Sequence, residues 1–166
     1  METTNSSRFP LVVIVGGGFG GLEVAKALAN EPVEVLMLDK HNYHTFQPLL
    51  YQVATGSLEA GSIAFSLRKN FDNQKNFRFR VAEVSSINPE KNTIDSSIGE
   101  IKYDYLVIAT GSTTNFFGNN DIEHHAMPMK SVPEALNLRY MILQHLEEAV
   151  LKATPEERAP TSTKFR

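Results

Sequence analysis

The sequence predicts an α/β fold built on a parallel sheet. A continuous apolar run at residues 11–15 leads directly into a cluster of glycines, and a helical pattern of apolar residues follows. A second apolar run, residues 33–38, ends at Asp39. A strand, a helix and a second strand within about 30 residues form a βαβ unit, in which the helix joins two parallel strands.

Length and composition agree with a folded domain and exclude several classes of function. The 166 residues carry 16 Lys and Arg against 19 Asp and Glu, so a net charge of −3 predicts no nucleic-acid partner. Cysteine is absent, which excludes disulfide scaffolds, thiolate zinc sites and cysteine nucleophiles within this span. Any redox chemistry here must therefore come from a bound cofactor.

Neither a membrane span nor a secretory signal is predicted. No apolar run approaches the roughly 18 residues that a membrane helix needs. Residues 1–8 are polar at their start and lack the apolar core of a signal peptide, so we expect a disordered terminus on an intracellular chain.

The middle of the chain departs from simple strand–helix alternation. Residues 40–61 have no clean period and predict a long ordered loop, which in compact domains usually has a function. The elements expected after it are a helix at 62–71, a strand at 77–81, a turn at 88–92, a hairpin at 93–101 and a strand at 105–109.

A capping-box pattern predicts the last helix. Ser131 and Glu134 flank Pro133 at the start of a helix of about 20 residues. One apolar stripe is expected along it, made of Ala135, Leu138, Ile142, Leu146 and Val150. Residues 9–153 are thus predicted to form one domain, and the Pro- and Thr-rich residues that follow form an exposed connector.

The glycine cluster contains the pattern G-x-G-x-x-G at Gly16, Gly18 and Gly21. It follows a buried strand and opens a helix, and Asp39 ends the next strand 39 − 21 = 18 residues later. In that context the pattern predicts a Rossmann-like dinucleotide site, in which the helix start holds a diphosphate and the acid accepts ribose hydroxyls. The alternative is a glycine-rich turn without a ligand.

Asp39 narrows the choice of dinucleotide. A carboxylate at this position repels a 2′-phosphate, so NAD and the adenosine half of FAD both remain open. The long irregular segment and the hairpin before the last strand favour FAD.

The pairs His41 with His44 and His124 with His125 are interpreted as loop histidines, and no metal site or essential acid or base is expected.

From Phe9 onward the sequence resembles the type II NADH dehydrogenases, which are single-chain NADH:quinone oxidoreductases that do not pump protons. The most specific stretch is residues 38–56, LDKHNYHTFQPLLYQVATG. The glycine cluster after the first strand and the segment LVIATGS at 106–112 are also similar.

The resemblance implies a Rossmann-like, FAD-binding, three-layer fold with a parallel sheet and a β-hairpin or meander, incomplete in this chain. It assigns the pyrophosphate to the glycine loop, the ribose to Asp39, and the adenosine end to Lys40 and the backbone of Val84. Gln47 and Pro48 resemble the segment that runs beside the flavin, and residues 109–111 resemble the turn near the cofactor. The implied cofactor-binding residues are Gly16, Gly17, Gly18, Phe19, Gly20, Gly21, Asp39, Lys40, Gln47, Pro48, Val84, Ala109, Thr110 and Gly111.

The implied function is electron transfer from NADH through FAD to a membrane quinone. The NADH site would lie in an inserted second domain beginning near residues 164–166, so residues 154–166 are predicted to connect to it. Carboxyl-terminal helices outside this chain would attach the protein to the inner face of the cell membrane from the cytoplasm, with homodimer formation left open. The segment alone is expected to bind FAD weakly and not to oxidise NADH.

Two alternatives remain at this point. One is a sulfide:quinone or ferredoxin-type flavin reductase, although the sulfide enzymes need cysteines and this span has none. The other is a non-catalytic FAD- or nucleotide-binding module. A second glycine loop encoded after residue 166 would favour the dehydrogenase, and a stop codon there would favour the module.

Overall fold

The computed structural model describes residues 9–151, which divide into two compact units. The first unit contains residues up to 44 and residues 65–112, and the second contains residues 45–64 and those from 113 onward. The predictions made for residues 1–8 and 154–166 lie outside the described residues.

Nine strands and five α-helices are described. The strands are β1 Leu11–Val15, β2 Glu34–Asp39, β3 Tyr43–Thr45, β4 Ala64–Ser66, β5 Phe77–Val81, β6 Val84–Asn88, β7 Thr93–Ser96, β8 Gly99–Lys102 and β9 Tyr105–Ile108. The helices are α1 Phe19–Ala27, α2 Leu50–Ala54, α3 Leu67–Asn70, α4 Asn120–His125 and α5 Val132–Val150, with 3-10 helices at Gln47–Leu49 and Ala60–Ser62.

The first unit is built on a parallel sheet in the order β5-β2-β1-β9. Val15 at the end of β1 lies opposite Leu38 in β2 and Ile108 in β9, and Asp39 lies opposite Val81 in β5. The carboxyl ends of all four strands therefore meet at one edge. That edge is where parallel α/β sheets bind ligands.

The sheet is covered on both faces, which explains the continuous apolar run in β1. Alternate residues such as Ile14 and Met37 pack with Leu22 of α1 on one face. Val13 and Leu38 pack with Ile94 of β7 on the other. Helix, sheet and meander form the predicted three layers.

Strands β6, β7 and β8 form the antiparallel meander. The predicted hairpin between residues 93 and 101 is confirmed, with Gly99 in the left-handed region at φ 105°. Strand β6 was not expected, because its residues 84–88 lack a regular apolar alternation and its pairing with β7 is irregular between Val84 and Ser86.

Two expectations for the middle of the chain are wrong in detail. Residues 40–61 form short regular elements, β3, a 3-10 helix and α2, instead of one irregular loop. The helix expected at 62–71 is reduced to α3, because Ala64–Ser66 is extended and the Ser66 hydroxyl caps the helix by accepting from the N–H of Lys69 at 3.4 Å.

The second unit is built around the amino-terminal half of α5. Its capping box is confirmed, since the Ser131 hydroxyl accepts from the N–H of Glu134 and the Glu134 carboxylate accepts from the N–H of Ser131. Ala135 is buried against Leu50 and Val53 of α2. Of the predicted apolar stripe only Ala135 is buried. Leu138 and Ile142 are half-buried, whereas Leu146 is 58% exposed and Val150 is 71% exposed.

Helix α4 was not expected from the sequence, and Asn119 caps it through the N–H of Ile122. Among residues 9–151, no helix is long and apolar enough to cross a bilayer.

Two side-chain amides fasten the carboxyl end of α1 to the segment before β5. Gln74 Nε2 donates to the Ala25 carbonyl at 3.0 Å. Asn76 Nδ2 donates to the carbonyls of Leu28 at 2.9 Å and Val33 at 3.0 Å. The last carbonyls of a helix have no intrahelical donor, and Gln74 supplies one to Ala25. The Leu28 carbonyl also accepts from the N–H of Glu31 at 3.2 Å, so Asn76 adds a second donor there and ties it to Val33, just before β2.

Replacing the Asn76 amide should destabilise the fold. We expect Asn76→Ala to lower the free energy of unfolding by about 1–3 kcal/mol, because the partly buried carbonyl of Val33 loses this donor and that of Leu28 keeps only the N–H of Glu31. Thermal unfolding of the full-length protein measures the change, with exposed Asn73→Ala as the matched control. Equal melting temperatures for the two variants would contradict this role of Asn76.

Candidate functional site

The loop between β1 and α1 is held against the neighbouring strands. The N–H of Gly16 donates to the carbonyl of Leu38 at 2.8 Å. Gly16 has φ 110°, and a Cβ there would lie 2.3 Å from the carbonyl oxygen of Ala109. Both the backbone conformation and the lack of space therefore require glycine at this position.

Helix α1 begins directly on this loop. A Cβ on Gly21 would lie 1.9 Å from the Gly16 carbonyl oxygen, so only glycine permits the close approach of helix and loop. A Cβ on Gly17 would lie 2.7 Å from the Leu67 side chain, which is fully buried. Gly20 has more room, since the nearest atom to its Cβ would be 3.9 Å away.

Gly18 differs from its neighbours because nothing in its own surroundings requires glycine. Its φ is −77°, which any residue adopts, and a Cβ there would meet no atom within 4 Å. The open space lies at the amino terminus of α1, where N–H groups without intrahelical acceptors and the helix dipole favour an anion. The space and its electrostatics fit the diphosphate of a dinucleotide.

Asp39 joins the end of β2 to the glycine loop. One carboxylate oxygen, Oδ2, accepts from the N–H of Gly17 at 2.6 Å, and Oδ1 accepts from the N–H of His41 at 2.7 Å. The side chain is 20% exposed. A carboxylate has about four lone-pair positions, so two remain that ribose hydroxyls could use.

His44 lies beside the glycine loop, a position that the sequence analysis, which took it for a loop histidine, did not predict. Its side chain is 7% exposed, and its Nδ1 lies 3.0 Å from the Gly17 carbonyl oxygen. The Phe19 ring packs edge-on against it, with ring centroids 5.0 Å apart. In the sequence it stands among polar residues after β2 and was expected to be a loop histidine, but the structure places it buried in β3. No local sequence pattern signals its contact with Gly17.

Lys40 and Glu83 form an ion pair at 2.6 Å beside the start of β6. The hydrogen bond and the positive charge of Lys40 lower the pKa of the Glu83 carboxyl. The pair is exposed to solvent, and Glu83 directly precedes Val84, the other residue expected at the adenosine end. The roles of Lys40 and Val84 toward a ligand remain predictions.

The other predicted residues fall in two places. The N–H of Ala109 donates to the Val15 carbonyl at 2.8 Å, which sets Ala109, Thr110 and Gly111 at the same sheet edge as the glycine loop. Gln47 and Pro48 belong to a 3-10 helix of the second unit, and their predicted place beside a flavin stays a prediction.

Within the described part of the chain, His41 and His125 do not lie together in a metal site. His41 is exposed beside Asp39, and the ring of His125 lies against a carbonyl of its own helix. Residues 9–151 contain no group of three or more His, Cys, Asp or Glu side chains placed to hold a metal ion.

Fold and site together define a dinucleotide-binding domain of the Rossmann type. The pyridine nucleotide-disulphide oxidoreductase family matches residues 10–150, and the chain belongs to this family. It is thus a nucleotide-binding oxidoreductase domain, and the predicted resemblance is confirmed at this level.

Three relatives illustrate the similarity. Type II NADH:quinone oxidoreductase NdhA of Mycobacterium tuberculosis is 41% identical over 151 residues, which cover 89% of this chain and 32% of that protein. A structure of NDH2 from Plasmodium falciparum in complex with NADH has a TM-score of 0.78 at 28% identity, over 90% of this chain and 32% of that one. The structure of the sulfide:quinone oxidoreductase of Aquifex aeolicus has a TM-score of 0.75 at 28% identity, and the match covers 83% of this chain and 32% of that one. The chain thus spans about a third of the length of these relatives.

The contact between α1 and the loop predicts a difference between two neighbouring glycines. Gly21→Ala should cost about 2 kcal/mol or more of folding stability, because its methyl group would overlap a backbone carbonyl. Gly20→Ala should change stability little, since its methyl group finds ordinary contacts. Chemical denaturation of both variants of the full-length protein tests this, and equal midpoints would contradict the close packing.

The ion pair predicts a pH effect. Since Lys40 lowers the pKa of Glu83 in the folded state, the pair stabilises the fold above the ordinary glutamate pKa. That stabilisation is lost as the pH falls through the lowered value. Lys40→Gln should move the Glu83 titration toward higher pH, measured by carboxyl-carbon NMR, whereas Lys75→Gln on the loop before β5 should leave it unchanged. An identical Glu83 titration in the Lys40 variant would refute the pairing.

Proposed function

We propose that this chain is the FAD-binding segment of a type II NADH:quinone oxidoreductase. The open space at Gly18 carries the proposal. Glycine there serves neither the backbone conformation nor the packing. The space lies at a helix amino terminus, and the Asp39 carboxylate holds the N–H of the preceding residue, Gly17. A diphosphate bound in that space would explain why the position has no side chain.

Different groups of this chain would bind the diphosphate, the ribose and the adenine of the cofactor. The first-turn N–H groups and the dipole of α1 hold the diphosphate without a Lys or Arg. Asp39 accepts hydroxyls of the adenosine ribose while its two existing hydrogen bonds keep it in place. Its charge disfavours a ligand with a 2′-phosphate. Lys40 and the backbone of Val84 lie toward the adenine.

FAD is favoured over NAD as the resident dinucleotide. The chain passes from β5 to β9 through the three-stranded meander, whereas a nicotinamide-binding half usually continues through another helix and strand. The resemblance to type II NADH dehydrogenases, which implies FAD for this segment, supports this choice, and the chain is 41% identical to one such protein over 151 residues. Ala109, Thr110 and Gly111 at the sheet edge, with Gln47 and Pro48, are the residues we place nearest the flavin.

Bound FAD would supply the redox chemistry, accepting a hydride from NADH and delivering two electrons to a quinone. This chain contributes binding and orientation, and none of its side chains is proposed as an acid or base. The NADH and quinone sites, the membrane attachment at the inner face of the cell membrane and any homodimer contact are proposed to involve segments outside this chain.

A sulfide:quinone oxidoreductase segment is the second candidate, favoured by the likeness to the Aquifex aeolicus enzyme. The absence of cysteine from all 166 residues argues against it, since thiol chemistry would have to come from elsewhere. Steady-state assays of the full-length protein with NADH and with sulfide, each with a soluble quinone, separate the two. Quinone reduction driven by sulfide and not by NADH would overturn the proposal.

A glycine exchange tests the cofactor site. Gly18→Val should lower the affinity for FAD at least about tenfold, because the side chain fills the space reserved for the diphosphate. Gly61→Val is the matched control, since its Cβ also enters open space but in the second unit. Flavin absorbance per purified full-length protein is the measurement, and full FAD content in the Gly18 variant would contradict the site.

A further inference from the structure

The peptide groups around Gly17 are held from two sides by buried or partly buried side chains. Its N–H donates to Asp39 Oδ2 at 2.6 Å. Its carbonyl oxygen lies 3.0 Å from His44 Nδ1. A carbonyl oxygen only accepts, so Nδ1 must carry the hydrogen and the histidine is the donor.

The contact with His44 determines where the next N–H points. The Gly17–Gly18 peptide bond is trans, as are all those described, and the carbonyl and N–H of a trans peptide point in opposite directions. With the carbonyl of Gly17 directed at His44, the N–H of Gly18 is directed away from it. Among residues 9–151 this N–H has no protein acceptor.

A glycine-rich loop needs such a constraint. Both residues that flank this peptide are glycines, which adopt alternative backbone conformations at little cost. A rotated peptide would turn the Gly17 carbonyl toward the anion site and replace a donor by a negative dipole. The histidine hydrogen bond opposes that rotation, and Phe19 packs edge-on against the ring that makes it.

We propose that His44 is a positioning residue for anion binding: it fixes the Gly17–Gly18 peptide so that the N–H of Gly18 faces a phosphate oxygen of the dinucleotide. This inference rests on the proposed function only in taking the ligand to be an adenine nucleotide with a diphosphate. His44 itself does not contact the ligand, and its effect passes through the loop.

The test compares ligands with and without phosphates on flavin-free, full-length protein. His44→Leu should weaken the binding of ADP about tenfold by isothermal titration calorimetry, the effect of losing one hydrogen bond to a charged group. The binding of adenosine, which lacks the diphosphate, should stay within about twofold. A general structural defect would weaken both ligands equally.

Conservative variants complete the test. The amide of His44→Asn can place its nitrogen near the position of Nδ1 and should restore most of the ADP affinity, whereas His44→Gln carries the same amide one carbon further out and should not. This pair gives the comparison even where the leucine variant fails to fold. ADP binding by His44→Leu at the native affinity, equal losses for ADP and adenosine, or equal affinities of the Asn and Gln variants would overturn the inference. A native protein that binds neither ADP nor FAD would overturn the proposed function as well.

Discussion

Helix α1 approaches the carboxyl end of β1 so closely that no side chain fits between them. At Gly21 the helix lies against the Gly16 carbonyl, and Gly16 lies against the carbonyl of Ala109, the residue after β9, so at these two points backbone meets backbone. This contact sets the amino terminus of α1 over the sheet edge. The amide bonds of Gln74 and Asn76 hold the other end of the same helix. The direction of the helix dipole is thereby fixed at both ends.

Side chains from outside the glycine loop hold it in place. Asp39 is the acidic group that holds the loop itself, through the N–H of Gly17, and it does so from the end of the adjacent strand. The carboxylate that holds the loop still has lone pairs that could accept hydrogen bonds from a ligand. His44 holds the opposite side of the same glycine. A binding loop made of glycines thus gains rigidity from side chains that lie outside it.

Much of this could be read from the sequence where local pattern and tertiary packing agree. The run at 11–15, the glycine spacing and Asp39 identified the βαβ unit, and Ser131 with Glu134 identified the start of α5. The pattern failed where tertiary contacts decide. Ala64–Ser66 is extended although its sequence suits a helix, and the stripe on α5 loses its cover after the first turns. The contact of His44 with Gly17 joins residues 27 apart and leaves no local signature.

In the proposed site a diphosphate binds at Gly18 and the adenosine ribose lies beside Asp39. A crystal structure of the full-length protein with its native cofactor is the most direct test. We expect FAD, with a phosphate oxygen within hydrogen-bond distance of the Gly18 N–H and the Asp39 carboxylate bonded to both the Gly17 N–H and a ribose hydroxyl. A dinucleotide whose diphosphate lies away from Gly18, or a loop in which the Gly17–Gly18 peptide is turned so that its carbonyl faces the phosphate, would contradict it.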